Sequence, residues 1–483
     1  MSGINFNGID EIRVKGYKSI KNEAISLRPI TILAGANSSG KSSIMQPLLL
    51  LKQTLEEKNP AISLLLPGKN VYLTQYDQIR PKFKMNENVE FEIGLKNSML
   101  WAYSTFQPAQ IFQHKDKGNR LLISKSHFDF SPLVKEQNDT RFEKVQFTLF
   151  PGMSSGDIHE KVIKICHDKF LDIDNKKIYT LKEESCFLAI QAERPKEPLK
   201  LPGNPHNSFR FAGSFSNDIL GIIHLSGLRG DPTQRTFQRC PITSFPSENG
   251  APTYFFKGKF SGYTASLIEE WEQEDNSRRA KLIEYVQKMG LSTTVATKSV
   301  DDSFLEIFVG WHPSEKPMGT NDMVHIADVG CGVSQALPIL VALIAAKEKQ
   351  IVYIEQPEIH LHPKASVALA DIIANAITDA ARRGVRVVIE THSDIILLAL
   401  QTHVAQHING NGLKPEDVVL YWFEKQSDGT TKIKEGHMDG YGDYADWSED
   451  FTDVRMQAQR KYLDAYFVQK NKEAENYLTG AEH

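Results

Sequence analysis

Gly35-Ala36-Asn37-Ser38-Ser39-Gly40-Lys41-Ser42 is an uninterrupted match to the phosphate-binding loop GxxxxGK[ST]. Its flanks agree with that reading. Pro29-Ile30-Thr31-Ile32-Leu33-Ala34 is a short, β-branched, apolar run of the kind that forms a buried strand. Ser43 to Lys58 is rich in Leu, lacks Gly and has its one Pro early, at Pro47, so it reads as a helix. In the order strand, loop, helix, backbone N–H groups and the positive helix end face phosphate oxygens. Gly35 and Gly40 permit backbone angles and close approach that a Cβ would block. Gly35, Asn37, Ser38, Ser39, Gly40, Lys41, Ser42 and Ser43 are therefore the expected nucleotide-contacting residues. Lys41 places a cation on the phosphates and the Ser42 hydroxyl is an expected Mg²⁺ ligand, so ATP and Mg²⁺ are the expected cofactors.

Composition sets the frame. A chain of 483 residues has room for about one to three domains, and 41% hydrophobic with 24% charged residues is ordinary for a globular chain. The net charge of −4 gives no general attraction to nucleic acid, although a local basic face stays open. Cys166, Cys186, Cys240 and Cys331 are scattered without a CxxC pair, which points to a reducing, cytoplasmic setting and to no zinc site. Met1 to Phe6 does not read as a signal peptide. The longest apolar run, Ala336 to Ala346, is about half of what a bilayer span needs, so it reads as a buried helix and no membrane association is expected.

Further along, strand and helix patterns mark out three regions. Glu11 to Tyr17 alternates apolar and polar residues, and residues 85–225 read as mainly antiparallel β structure with surface excursions at 107–140 and 192–217. Thr264 to Lys288 reads as helical, broken in its polar middle at 272–279, and residues 291–310 return to strand. From 322 onward strand and helix alternate, the pattern of a parallel sheet. The expected division is an N-terminal lobe over 1–260, a helical insert over 261–290 and a C-terminal lobe over 291–483.

Three more stretches carry chemistry. Ile351-Val352-Tyr353-Ile354-Glu355 is a buried strand ending in a carboxylate, the Walker B arrangement that sets an acid beside Mg²⁺, with Glu355 as the metal-supporting residue. Gln356 follows where related ATPases usually carry a catalytic Glu; an amide can orient a water but cannot take its proton, and Glu358 is the alternative base. Val387-Val388-Ile389-Glu390-Thr391-His392-Ser393-Asp394 is a second apolar strand with a polar end, which places His392 to reach a γ-phosphate. Ala327 to Gln335 is a Gly-rich loop opening into the apolar run, with Gly330, Gly332, Ser334 and Gln335 as expected anion-facing residues. His360 and His362 share HxH spacing, but a restrained turn explains Pro357 and Pro363 better than a metal site does. Arg229, Arg235 and Arg239 follow a short strand; near a nucleotide or simply structural are equal readings.

The ordered set of Tyr17-Lys18-Ser19-Ile20, the phosphate loop, GxGxSQ at 330–335, IEQPEIHLHP at 354–363 and ETHSD at 390–394 resembles the RecF/SMC/OLD-like branch of the ABC-type ATPases, often grouped as AAA15. Asp439-Gly440-Tyr441-Gly442-Asp443-Tyr444-Ala445-Asp446-Trp447 with Phe451 resembles a C-terminal element of the same ATPases. The resemblance covers roughly residues 8–80 and 320–455. It implies an α/β ABC-type head with an antiparallel β lobe, a parallel-sheet lobe and a helical insert. It also implies dimerisation, or higher oligomers, through heads in which Ser334 and Gly332 reach the partner's nucleotide. Several such ATPases serve anti-phage defence; those of Septu systems pair with a separate HNH nuclease. With no convincing Toprim constellation over Val418 to Tyr444, the resemblance implies a partner-dependent ATPase acting with a nuclease and with DNA; Gln356, lacking a basic carboxylate, makes slow hydrolysis the expectation for the isolated protein. A RecF-like repair ATPase, a transporter nucleotide-binding subunit and a non-hydrolysing scaffold are the alternatives.

Overall fold

The computed structural model describes residues 8–57, 63–81, 90–97, 100–109, 120–130, 133–136, 139–142, 145–166, 178–184, 186–193, 208–209, 213–246, 252–310, 323–378, 384–407 and 412–444, with 461, 463, 466 and 470. A twelve-stranded mixed sheet organises them. Its strands are β1 (Glu11–Tyr17), β2 (Ile20–Ser26), β3 (Ile30–Gly35), β4 (Phe91–Lys96), β5 (Leu100–Ala109), β6 (Arg120–Phe130), β7 (Val145–Leu149), β8 (Ile223–Leu225), β9 (Ile351–Glu355), β10 (Arg386–Glu390), β11 (Val418–Lys425) and β12 (Thr431–His437). Their order is β8-β9-β10-β3-β11-β12-β2-β1-β4-β5-β6-β7.

From β8 to β11 every pairing is parallel, with Val352 opposite Val387, Ile389 opposite Ile32 and Leu420 opposite Ile32 on the other side. From β2 to β7 every pairing is antiparallel. The parallel strands read as continuous apolar runs because both of their faces are buried. Alternate residues divide between two cores. Leu33, Ile351, Tyr353, Val388, Val419 and Tyr421 join one core with Ile44, Leu48 and Leu51 of helix α1 (Lys41–Glu57). Ile30, Ile32, Val352, Ile354, Val387 and Ile389 join the other. That second core is closed by α2 (Thr264–Glu274), α3 (Asn276–Lys288), α4 (Cys331–Ala345), α5 (Pro363–Thr378) and α6 (Asp394–Gln406).

The helical stretch from Thr264 to Lys288 breaks where its polar middle predicts. Asp275 accepts from the N–H groups of Ser277 and Arg278 and caps α3. Strands from both 1–260 and 291–483 share the large sheet: β3 lies between β10 and β11. Two local expectations need correction. Arg120–Phe130 is a sheet strand rather than part of a surface excursion, and Ser155–Cys166 and Gly213–Leu220 are helices inside the region read as β. Among the described residues no helix is long and apolar enough to cross a membrane.

Candidate nucleotide site

The phosphate loop leaves the end of β3 and turns into α1. Gly35 has φ +143° and Gly40 φ +101°, so both adopt backbone that L side chains rarely take. A Cβ on Gly35 would lie 2.5 Å from Phe423 O; one on Gly40 would collide with Thr431 Oγ1 and come within 2.9 Å of Ser19 Oγ. Close approach of β11 and β12 therefore demands these glycines, in addition to any ligand. Thr431 Oγ1 holds the loop from outside, bonded to Ser39 O and Ser19 Oγ, both at 2.7 Å.

Within the loop, Ala36, Asn37 and Ser38 are exposed and Ser38 has φ +61°. Ser39 is buried and its Oγ has no hydrogen-bond partner. Ser43 N closes the first helical turn on Gly40 O at 2.9 Å. Lys41, 4% exposed, donates Nζ to Gly35 O at 3.0 Å and to Ala36 O at 2.8 Å. Burial lowers its pKa, and Glu390 and Glu358 oppose that shift.

Strand period two places Glu355 and Glu390 on the α1 face of neighbouring strands, directly opposite one another. Glu390 is the carboxylate that meets the phosphate loop: Oε1 accepts from Ser42 Oγ at 2.8 Å and Oε2 from Tyr353 OH at 2.8 Å. Burial raises its pKa, partly offset by the bonds from Ser42 and Tyr353. Glu355, expected beside the metal, is bonded to His224 Nε2 at 3.1 Å and to Gly227 N at 3.1 Å. Burial pushes Glu355 upward, but the bonds from His224 and Gly227 outweigh it and the pKa falls below the usual value. His224 is buried, stacks on Tyr353 at 5.5 Å and has Asn70 Oδ1 at 3.1 Å from its other nitrogen.

Beyond Glu355, Gln356 takes φ +45° and donates its N–H to Glu390 O at 2.6 Å. Glu358 Oε1 accepts from His392 N at 2.9 Å, while Oε2 is buried without a partner. Burial, then Lys41, lowers the His392 pKa; Glu358 and the Gly35 backbone work the other way. Ser393 caps α6 through Ile396 N at 3.3 Å, which fixes the turn carrying His392.

The Gly-rich loop differs in part from its sequence reading. Gly330 is the residue before α4, and Gly332, Ser334 and Gln335 already lie in its first turn. Ser334 Oγ bonds Cys331 O at 2.9 Å. Gln335 is 1% exposed, accepts from Arg229 N and donates to Gly230 O. It faces the interior, which corrects the expectation that it meets an anion. Arg229 is buried and bonded to backbone carbonyls, Arg235 pairs with Asp328, and Arg239 grips Glu269. His360 and His362 sit on the exposed loop before α5. Asp439 closes its turn onto the N–H groups of Tyr441 and Asp443, and Gly442 O accepts from Gln401 of α6. Asp446, Trp447 and Phe451 lie outside the described residues.

Sequence reasoning did not single out Glu390 or His224 as site residues. Glu390 carries the same signal as Glu355, an acid ending an apolar strand. His224 carries none, because its partner is 131 residues away.

Residues 8–195 match the family described as AAA ATPase domain, and residues 252–399 match the family described as AAA domain, putative AbiEii toxin, Type IV TA system. Both matched segments are thus described as AAA domains, and the phosphate loop lies within the first of them. No curated protein matches it. Among solved structures, an Smc head bound to the C-winged helix domain of ScpA is similar at TM-score 0.41 and 12% identity, over 89% of this chain and 97% of that one. The SMC head domain from Thermotoga maritima gives 0.35 and 7%, over 88% and 98%. The Smc head domain with an extended coiled coil, bound to the C-terminal domain of ScpA derived from Pyrococcus furiosus, gives 0.40 and 11%, over 94% and 99%.

Proposed function

We propose that this head binds ATP·Mg²⁺, closes against a second copy in the cytoplasm, and thereby gates a separate effector, an HNH nuclease of Septu-type anti-phage defence acting on DNA. The observation that carries the nucleotide reading is the convergence of Lys41, Ser42 and Glu390 at the ends of β3 and β10, beside two buried unpartnered oxygens, Ser39 Oγ and Glu358 Oε2. One cation, one hydroxyl and adjacent carboxylates are the donor set such a ligand needs. Ser42, with Glu355 and Glu390 behind it, would hold the metal, which when bound spreads the phosphate charge. Lys41 and the N–H groups of 37, 38 and 40–42 bind phosphate oxygens. Gln356 orients the attacking water, Glu358 takes its proton through Oε2, and His392 senses the γ-phosphate. Gly330, Gly332 and Ser334 act across the closed pair, in which lobes 1–260 and 291–483 flank the insert 261–290. Gln356, an amide where a base is expected, favours one second reading, a scaffold gated by nucleotide occupancy alone.

The test is calorimetry with an ATP analogue together with light scattering. Lys41→Ala removes a charge-assisted contact worth roughly 1.5–3 kcal/mol, so affinity falls about 10- to 150-fold. Ser334→Arg abolishes an analogue-induced mass increase while analogue binding persists. Unchanged affinity in folded Lys41→Ala rejects the site. A mass increase that survives Ser334→Arg rejects the closure geometry. Native pull-down that never recovers a nuclease rejects the effector assignment.

A further inference from the structure

Arg229 joins both sides of the site without touching the phosphate loop. Its N–H donates to Gln335 Oε1 at 3.0 Å, and its Nε donates to Gln335 O at 2.8 Å, in the first turn of α4. Nη1 donates to Glu355 O at 2.8 Å and to Ser226 O at 3.3 Å, and Nη2 to Gln356 O at 3.2 Å. The side chain is 3% exposed. All of the side-chain acceptors are main-chain carbonyls, so the fork fixes backbone positions rather than mobile side chains. One acceptor belongs to Gln356, whose φ of +45° is a conformation that surroundings must hold. A second contact runs alongside: a Cβ on Gly332 would lie 3.0 Å from His360 O, so α4 also packs on the loop after β9.

We propose that Arg229 is a positioning residue that ties the first turn of α4 to the end of β9, so that displacement of α4 resets Gln356 and the water it orients. This inference rests on the ATPase reading above. A planar five-donor fork spans these carbonyls and a point-like ammonium does not.

The test compares full-length wild type, Arg229→Lys and Arg229→Gln. Single-turnover ATP hydrolysis, KM, analogue affinity and melting are measured for each. Since misplacing reacting groups by about 1 Å can cost about 100-fold, kcat falls tenfold or more in Arg229→Gln and less in Arg229→Lys. Analogue affinity and KM stay within about twofold, because no Arg229 partner belongs to the phosphate loop. Hydrogen exchange adds a readout independent of turnover. Analogue binding slows amides 331–336 and 355–360 together in wild type, and in Arg229→Lys only the first segment responds. Unchanged kcat in a folded variant, kcat and affinity falling in parallel, or joint protection surviving in Arg229→Lys each overturns the inference. If Arg229→Gln does not fold, Arg229→Lys alone decides. Lys41→Ala runs alongside: hydrolysis insensitive to it condemns the ATPase reading, whatever Arg229 does.

Discussion

The ends of β9 and β10 carry two glutamates side by side, and their surroundings drive them apart. Glu355 is met by donors, His224 and Gly227 N, and is held ionised. Glu390 is met by hydroxyls, Ser42 and Tyr353, in deeper burial, and its pKa rises. Identical chemistry on adjacent strands thus yields a fixed anion and a carboxyl that resists ionising. The residues after each glutamate differ too. Gln356 and Glu358 continue the β9 end, His392 continues the β10 end, and the two ends are stitched by Gln356 N to Glu390 O and His392 N to Glu358. The lesson is that a carboxylate's ionisation is set by the balance of burial against its donors and neighbouring charges, not by its place in a motif.

The largest test of this comparison is hydrolytic. If the β9 end supplies the base, Glu358→Gln lowers single-turnover hydrolysis by about 10²–10⁴-fold, with analogue affinity kept. Turnover unchanged in Glu358→Gln, and lowered by Gln356→Glu, would falsify the assignment.

The next test is one of sign. Glu355→Gln removes a carboxylate whose charged form is stabilised, so urea unfolding at pH 7.5 shows a loss of about 1–2 kcal/mol. Glu390→Gln replaces a carboxylate that burial disfavours, so stability is unchanged or rises, by up to about 1 kcal/mol. The linkage agrees in direction. A lowered pKa contributes stability above the unfolded value that is lost as pH falls through the folded one. A raised pKa makes stability fall as pH rises from the unfolded value through the folded one. Equal losses in both variants would erase the contrast.

The smallest effect lies away from the site. Burial pushes the Asp218 carboxyl up to about 7, with Lys349 and Arg386 opposing. The folded protein then holds a proton that the unfolded chain releases near pH 4, and stability drops as pH climbs from about 4 to 7. Asp218→Asn mimics the protonated form, so it raises the melting temperature at pH 8 by a few degrees, about 1 kcal/mol, and changes nothing near pH 4. An equal shift at both pH values would mean that packing, not charge, governs the position.

Legibility from sequence goes with locality. The phosphate loop is readable because strand, glycines and helix are contiguous, and Glu355 because an acid ends an apolar run. The same signal at Glu390 is overshadowed by His392 in the same stretch. Ser155–Cys166 offers Ile158, Val162, Ile163 and Cys166 at helical spacing, a pattern lost inside a region dominated by β alternation. His224 and Arg229 are beyond reach: Glu355, on a strand, and Gln335, in a helix, lie more than a hundred residues away and are brought close only by the fold, and nothing in a local window chooses among distant acceptors. Gln335 misleads for a related reason, since a glutamine after a glycine loop reads alike whether it faces a ligand or a buried arginine.

The placing of β3 between β10 and β11, with Thr431 bonded to the phosphate loop, has a consequence for how the protein is made. The loop is synthesised well before both strands that wall it in and before the hydroxyl that pins it. Over that interval a nascent chain carries the phosphate-loop motif without the walls that shape it. Pairings of such high sequence separation form late and slowly. A chain interrupted before residue 418 would lack β11 and β12, and with them Phe423 and Thr431, the groups against which Gly35 and Gly40 are fitted.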